Sequence, residues 1–256
     1  MLVKNKIKNT LKKLGLSEKD TVLMHSDITP IVKYAGVSWN EASLILKESI
    51  LELIGKKGTL VVPTFNFDFI NKKKYIHEKT LSNCGFFSNY ILFQNASIRS
   101  FHPIHSFCAI GKNAAHLMNK VSKSSTGSNS VFDRLYKTNS KILLFNFDLG
   151  TTFVHYAEQK KKVNYRYLKK IKGIVSKNNK EYIDEFDMYV RYLNLDVKVY
   201  FKRFHNYMIA NKKMKSTKTL RNTLPIKLTS CTEMYDQILK VLKSKPYFLL
   251  KKNPCN

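Results

Sequence analysis

The chain has little of what would divide it or anchor it. Nine glycines and six prolines in 256 residues leave no Gly-, Pro- or Ser-rich linker, so residues 1–256 read as one domain rather than tethered modules. No apolar run approaches the roughly 18 residues of a membrane-spanning helix. The opening Met1-Leu2-Val3-Lys4-Asn5-Lys6 leads into no apolar core of a signal peptide. The four cysteines, Cys84, Cys108, Cys231 and Cys255, show neither C-x-x-C spacing nor dense packing. That usage excludes a disulfide framework and predicts a reducing, cytoplasmic setting. No H-x-H or H-E-x-x-H spacing occurs, so no metal ligand set is expected.

Acid is scarce as well: 18 Asp and Glu face 45 Lys and Arg, for a net charge of +27. Such a chain attracts anions. Only six of its cations are arginine, the residue that reads phosphate and guanine with a planar fork. Lysine spread evenly, with no basic tail, reads as a solvated surface, and a non-catalytic nucleic-acid-binding module is the distant alternative. With 43% hydrophobic and 12% aromatic residues, a sizeable core is available.

The patterning predicts an α/β fold. Residues 21–24, 58–63, 106–110 and 141–145 are short apolar runs that read as strands. Residues 38–54 carry helical spacing, with Ser38 as N-cap, Glu41 as its capping-box partner and Gly55 closing the helix. Helices are also expected over 113–121, 130–136 and 232–242. This alternation points to a mixed central sheet flanked by helices. The expected core, residues 1–160, carries the chemistry. Residues 161–256 form an α+β annex shaping the acceptor site, starting strand-like at Tyr165-Arg166-Tyr167 after the charged hinge Lys160-Lys161-Lys162.

Two clusters carry candidate chemistry. Arg99-Ser100-Phe101-His102-Pro103-Ile104-His105-Ser106 packs a cation, two hydroxyls and two imidazoles into eight residues, and Pro103 holds His102 extended. In Thr151-Thr152-Phe153-Val154-His155-Tyr156-Ala157-Glu158, a threonine can start a helix on which His155 and Glu158 share one face. A carboxylate beside an imidazole fixes its tautomer and raises its basicity, as a general base requires. His116 reads as an ordinary surface or packing histidine, and Cys108, inside an apolar strand, as core rather than nucleophile.

The ordered series Met24-His25-Ser26-Asp27, residues 58–65, residues 99–106 and residues 152–158 resembles the aminoglycoside 3-N-acetyltransferase family, an acetyl-CoA-dependent fold distinct from the GNAT superfamily. The likeness runs over about residues 15–170. It departs from the family at Asp27, where a second serine is usual, and at Leu81 and Asn129 or Ser130, where proline is usual. The resemblance implies acetyl transfer from acetyl-CoA, with no metal, to the amine of an amino sugar. It implies His155 as base, Glu158 as its support and His102 as competing catalytic candidate. Ser26, Thr64, Arg99 and Ser100 are implied as cofactor contacts. A chain of +27 suits an anionic acceptor, a nucleotide-linked amino sugar for surface polysaccharide biosynthesis, better than a polycation. The alternative is an aminoglycoside antibiotic held in an acidic pocket, for which Asp184, Glu185 and Asp187 are the candidates.

Overall fold

The structure, a computed structural model, describes residues 2–220 and 225–254. In chain order its elements are α1 (Leu2–Leu14), β1 (Thr21–Ser26), α2 (Thr29–Ala35), α3 (Trp39–Ile54), β2 (Thr59–Pro63), α4 (Phe69–Lys72) and β3 (Lys74–Ile76). There follow α5 (Phe86–Leu92), β4 (Ile98–Arg99), β5 (Phe107–Gly111), α6 (Ala114–Met118), α7 (Val131–Lys137), β6 (Lys141–Phe145) and α8 (Phe153–Lys161). The remainder is β7 (Arg166–Lys177), β8 (Lys180–Arg191), α9 (Phe201–Ala210), β9 (Lys215–Thr217), β10 (Ile226–Ser230) and α10 (Cys231–Ser244).

Seven strands form the central sheet in the order β4-β5-β2-β1-β6-β10-β9. β2, β1 and β6 run parallel, while β5, β4, β10 and β9 are added antiparallel. Strands with runs of consecutive apolar residues must be covered on both faces, and these are. Val22, Met24, Leu143 and Phe145 pack with α1, α3 and α5 on one side. Leu23, Ile142 and Leu144, one residue out of phase, pack with α7, α8, α9 and α10 on the other. The predicted mixed sheet flanked by helices is the one observed.

Local signals place these elements where expected. Ser38 Oγ accepts from Glu41 N at 3.2 Å, and the Glu41 carboxylate accepts from Ser38 N at 2.9 Å, so the capping box starts α3. Gly55, at φ 68°, ends it. α1 was not anticipated, although Ile7, Leu11 and Leu14 lie on one helical face and are buried. The stretch 181–220, which showed no clear periodicity, holds half of a long hairpin, a helix and an edge strand. In that hairpin β7 and β8 pair over twelve residues each, and β3 adds in parallel to β7. Asn178 and Asn179, both at positive φ, make its tight turn. The segment after residue 160 also reaches back into the central sheet, because β10 pairs with β6.

β1 lies between β2 and β6, and the connections leaving β1 and β6 go to opposite faces of the sheet. That divergence opens a crevice beyond the carboxyl ends of β1 and β6. Among the described residues no helix is long and apolar enough to cross a membrane. Cys84, Cys108 and Cys231 are free thiols, and Cys255 lies outside the described residues.

Candidate active site

The crevice is lined by the two loops that create it. One cavity, about 560 Å³, lies between residues 26–29 after β1, residues 146–149 after β6, and the start of α5. A second, about 420 Å³, shares Ser26, Cys84, Phe147 and Leu149 with the first and continues to Thr151, Thr152 and His155. A third, about 390 Å³, lies on the β7–β8 hairpin and also reaches His155. His155 is thus the residue at which the path from the sheet crevice meets the hairpin cavity.

The sequence builds this meeting point economically. β6 ends at Phe145, and residues 146–152 turn the chain into α8. Thr151 Oγ1 accepts from Phe153 N at 3.2 Å, a local side-chain bond at the helix start. It also hydrogen-bonds His25 Nε2 at 2.8 Å, tying the end of β1 to this loop, while the His25 ring stacks on Phe147. Gly150, at φ 83°, has no room for a side chain: a Cβ there would come within 2.3 Å of the Phe201 ring.

One turn into α8, His155 Nδ1 lies 2.6 Å from Glu158 Oε2. Glu158 is fully buried. Burial alone would raise its carboxyl, but His155, Arg166 and the Tyr165 hydroxyl outweigh that and hold its pKa below the ordinary value. Tyr165 donates to Oε1 at 2.9 Å, and Arg166 Nε stands 2.7 Å from Oε2, an ion pair without an aligned hydrogen bond. An ionised carboxylate only accepts, so Nδ1 of His155 carries the hydrogen and Nε2 is the basic atom. Burial pushes the His155 pKa down, the Arg166 charge adds to that, and Glu158 offsets part of it. The imidazole is neutral at pH 7.

Arg166 was not singled out as a site residue from sequence. Its position directly after Tyr165, eight residues beyond Glu158, was the available signal. The expected net rise in His155 basicity is corrected here: burial and Arg166 outweigh the carboxylate, and the pKa lies below rather than near the ordinary histidine value.

The other candidates sit elsewhere. His102 is buried, and its Nδ1 accepts from the amides of Ile104 and His105 at 3.2 and 3.0 Å. Its Nε2 faces Ser125 Oγ at 3.3 Å, and burial lowers its pKa to about 4. Both ring nitrogens thus have partners within the protein. The Arg99 guanidinium donates to the carbonyls of His77, Thr80 and Thr64 and to Ser106 Oγ, at 2.7 to 3.3 Å. Ser100 Oγ accepts from Phe107 N at 2.9 Å, and Thr64 Oγ1 meets Ser106 Oγ at 3.0 Å, both groups fully buried. These three fasten residues 99–106 to the end of β2 and line none of the three cavities. Ser26 does line the crevice, at the junction of its two cavities. Asp27, the departure from the family pattern, accepts from Thr29 N at 2.9 Å and turns the chain into α2.

His105 was noted only as part of its cluster. Its ring lies edge-on to Phe65 at 4.7 Å and Phe67 at 5.7 Å, with Nδ1 lacking a hydrogen-bond partner. Burial drives its pKa well below the ordinary value, and the nearby His102 and His155 push the same way. Among the described residues no cluster of three or more His, Cys, Asp or Glu could hold a metal ion.

Fold and site together define the class: an α/β protein in which two cavities meet at a neutral imidazole oriented by a buried carboxylate. The chain belongs to the aminoglycoside 3-N-acetyltransferase family, whose model matches residues 23–243. It is 28% identical over 178 residues to aminoglycoside N(3)-acetyltransferase IX of Micromonospora chalcea, covering 61% of this chain and 62% of that relative. The matched stretch thus spans under two thirds of the relative's length. The fold is similar to that of aminoglycoside acetyltransferase AAC(3)-Xa, with a TM-score of 0.81 at 16% identity over 98% of this chain and 94% of the other. It is also similar to AAC-IIIb in a binary complex with CoASH, with a TM-score of 0.80 at 14% identity over 98% and 99% of the two chains.

Proposed function

We propose that the protein transfers an acetyl group from acetyl-CoA to a primary amine of an amino-sugar acceptor, with His155 as general base. One observation carries this reading: His155, neutral and held by Glu158, lies where the crevice path and the hairpin cavity meet. The amine nitrogen attacks the thioester carbonyl and its proton passes to His155 Nε2; the C–S bond then breaks and the imidazolium returns that proton to the departing sulfur, releasing the thiol. Glu158 stabilises the imidazolium so formed, and Arg166 and Tyr165 keep the carboxylate in place.

The donor fits the crevice. Two cavities joined through Ser26, Cys84, Phe147 and Leu149 make an elongated path ending at His155, as a long thioester requires. The two acids in its wall are already engaged: Asp27 accepts from Thr29 N, and Asp148 pairs with the buried Lys227. The family match and the relative solved with CoASH support the same donor. Ser26 remains a proposed donor contact. Arg99, Ser100, Thr64 and His102 are proposed instead to hold the loop over residues 99–106.

For the acceptor, the relatives' names support an aminoglycoside, and neither they nor the family description gives support to a nucleotide-linked amino sugar. A second reading, an acceptor that is itself anionic, is favoured by the hairpin cavity, whose lining residues include Arg166, Lys169 and Arg191 and no carboxylate. Free-thiol release from acetyl-CoA, followed with amino-sugar acceptors and with His155→Gln as control, tests the activity. Thiol release that needs the amine and collapses in the variant supports the reading; none with any amine contradicts it.

A further inference from the structure

The single tryptophan of the chain stands in the wall of the crevice. Trp39 is the first residue of α3, directly after the Ser38 cap, and Phe86 is the first residue of α5. Their ring centroids lie 5.6 Å apart, with the ring planes tilted by 42°. Each is 43% exposed, although both helices are well anchored. The capping box fixes the start of α3, and Phe87, the neighbour of Phe86, is buried in the core beneath. Leu149, 76% exposed, lines the same cavity from the loop after β6. Large apolar side chains grouped in the open wall of one cavity mark a surface that a ligand covers.

What covers them follows from the course of the crevice. His155 lines the second cavity and not the first, Trp39 and Phe86 line the first and not the second, and Ser26, Cys84, Phe147 and Leu149 belong to both. A donor laid along this path with its thioester at His155 has its far end at the aromatic pair, and the far end of CoA is an adenine nucleotide. No lysine or arginine lines the first cavity, and its two acids are engaged. Its wall suits the flat, uncharged face of the base rather than the phosphates. Nor does it suit a polycation. The acids expected to hold one, Asp184, Glu185 and Asp187, lie on the hairpin and are bonded to Lys123, Lys170 and Ser124.

We propose that Trp39 and Phe86 form the adenine subsite of the crevice, with the base stacking on this aromatic pair. The proposal rests on the acetyl-CoA reading for which end of the crevice takes which end of the donor, but the stacking is read separately from turnover. Removing an aromatic side chain that stacks on a base weakens binding by about tenfold.

Because Trp39 is the only tryptophan, its emission reports the subsite directly. The full chain is titrated with CoA, with adenosine 3′,5′-bisphosphate, with pantetheine (the arm of CoA that lacks the nucleotide) and with kanamycin, and calorimetry gives the Kd of each. The expected result is saturable quenching of Trp39 by CoA and by the adenosine bisphosphate, and none by pantetheine or kanamycin. Trp39→Ala and, independently, Phe86→Ala raise the calorimetric Kd for CoA about tenfold with unchanged circular dichroism, while Trp39→Phe, which keeps an aromatic face, stays within about threefold of wild type. CoA that binds by calorimetry without altering the emission, and with the same Kd in Trp39→Ala, overturns the subsite and leaves acetyl transfer standing. Quenching by kanamycin but not by the adenosine bisphosphate overturns it too, and makes this cavity the acceptor's. Quenching by the adenosine bisphosphate with no thiol release from acetyl-CoA under any amine keeps the subsite while acetyl transfer falls. If neither CoA nor the adenosine bisphosphate binds, the subsite falls.

Discussion

His155 and Glu158, one helical turn apart on α8, are joined at 2.6 Å through Nδ1 of the ring and a carboxylate with no solvent exposure. That contact places the hydrogen on Nδ1 and leaves the lone pair on Nε2, the state the proposed general base requires. It also explains why Arg166 is buried beside it. An ionised carboxylate removed from water needs a cation and a hydrogen-bond donor, and Arg166 and Tyr165 supply them.

The first prediction follows from that dependence. Glu158→Gln keeps a hydrogen-bonding group but removes the charge that offsets burial at His155. The imidazole pKa then falls further, so the acidic limb of the rate profile moves to lower pH while maximal turnover drops, by about tenfold. Arg166 is left as an uncompensated buried cation, at a cost of roughly 3–5 kcal/mol. Urea unfolding and a pH–rate profile on the same variant check both effects.

Arg99 separates a clamp from a phosphate contact. Its side chain satisfies the carbonyls of Thr64, His77 and Thr80 and lies over the Tyr75 ring at 5.2 Å. Arg99→Ala leaves those acceptors unpaired and is expected to destabilise the fold by about 3 kcal/mol. The KM for acetyl-CoA, measured in the fraction that folds, stays within about twofold of wild type. A large rise in that KM with unchanged stability would return Arg99 to the donor site.

Stability should fall in mild acid. Burial lowers the pKa of His25, His102 and His205 to about 4, with Lys227 adding to the effect at His205. These rings are neutral when folded, while the unfolded chain protonates them near 6.5. The unfolded state therefore binds more protons between those values, and stability is lost as pH falls from about 6.5 towards 4. Each ring contributes about 1 kcal/mol to the loss between pH 7.5 and 5.5. Equilibrium urea unfolding at the two pH values reads the sum, and equal midpoints would contradict the burial of these imidazoles.

Gly150→Ala tests the loop that shapes the crevice. The left-handed backbone and the Phe201 ring both oppose a Cβ. The substitution is expected to cost roughly 1–3 kcal/mol, measured by thermal unfolding. It is also expected to weaken CoA binding, read by calorimetry, because Gly150 lines the cavity next to His155.

Much of this arrangement is legible in the sequence, and the limits are physical. The apolar runs of β1, β2 and β6 and the cap signals of α3 are local, and local signals survive folding unchanged. So does the three-residue spacing of His155 and Glu158. What could not be read was long-range. Nothing near β10 says that it pairs beside β6 some eighty positions earlier. The partners of Arg99 are backbone carbonyls, which carry no sequence signature. The net charge of +27 gave no hint of which lysines are paired. Lys74, Lys123 and Lys170 neutralise the hairpin acids while Lys169 pairs with none among the described residues.

Turnover of His155→Gln, measured by thiol release alongside equilibrium binding of CoA to the same protein, tests the central claim most directly. The account predicts a loss of at least about a hundredfold in kcat, an unchanged Kd for CoA, and disappearance of the acidic limb below the ordinary histidine pKa. Near-full turnover in His155→Gln, with activity abolished in a folded His102→Ala instead, would contradict it.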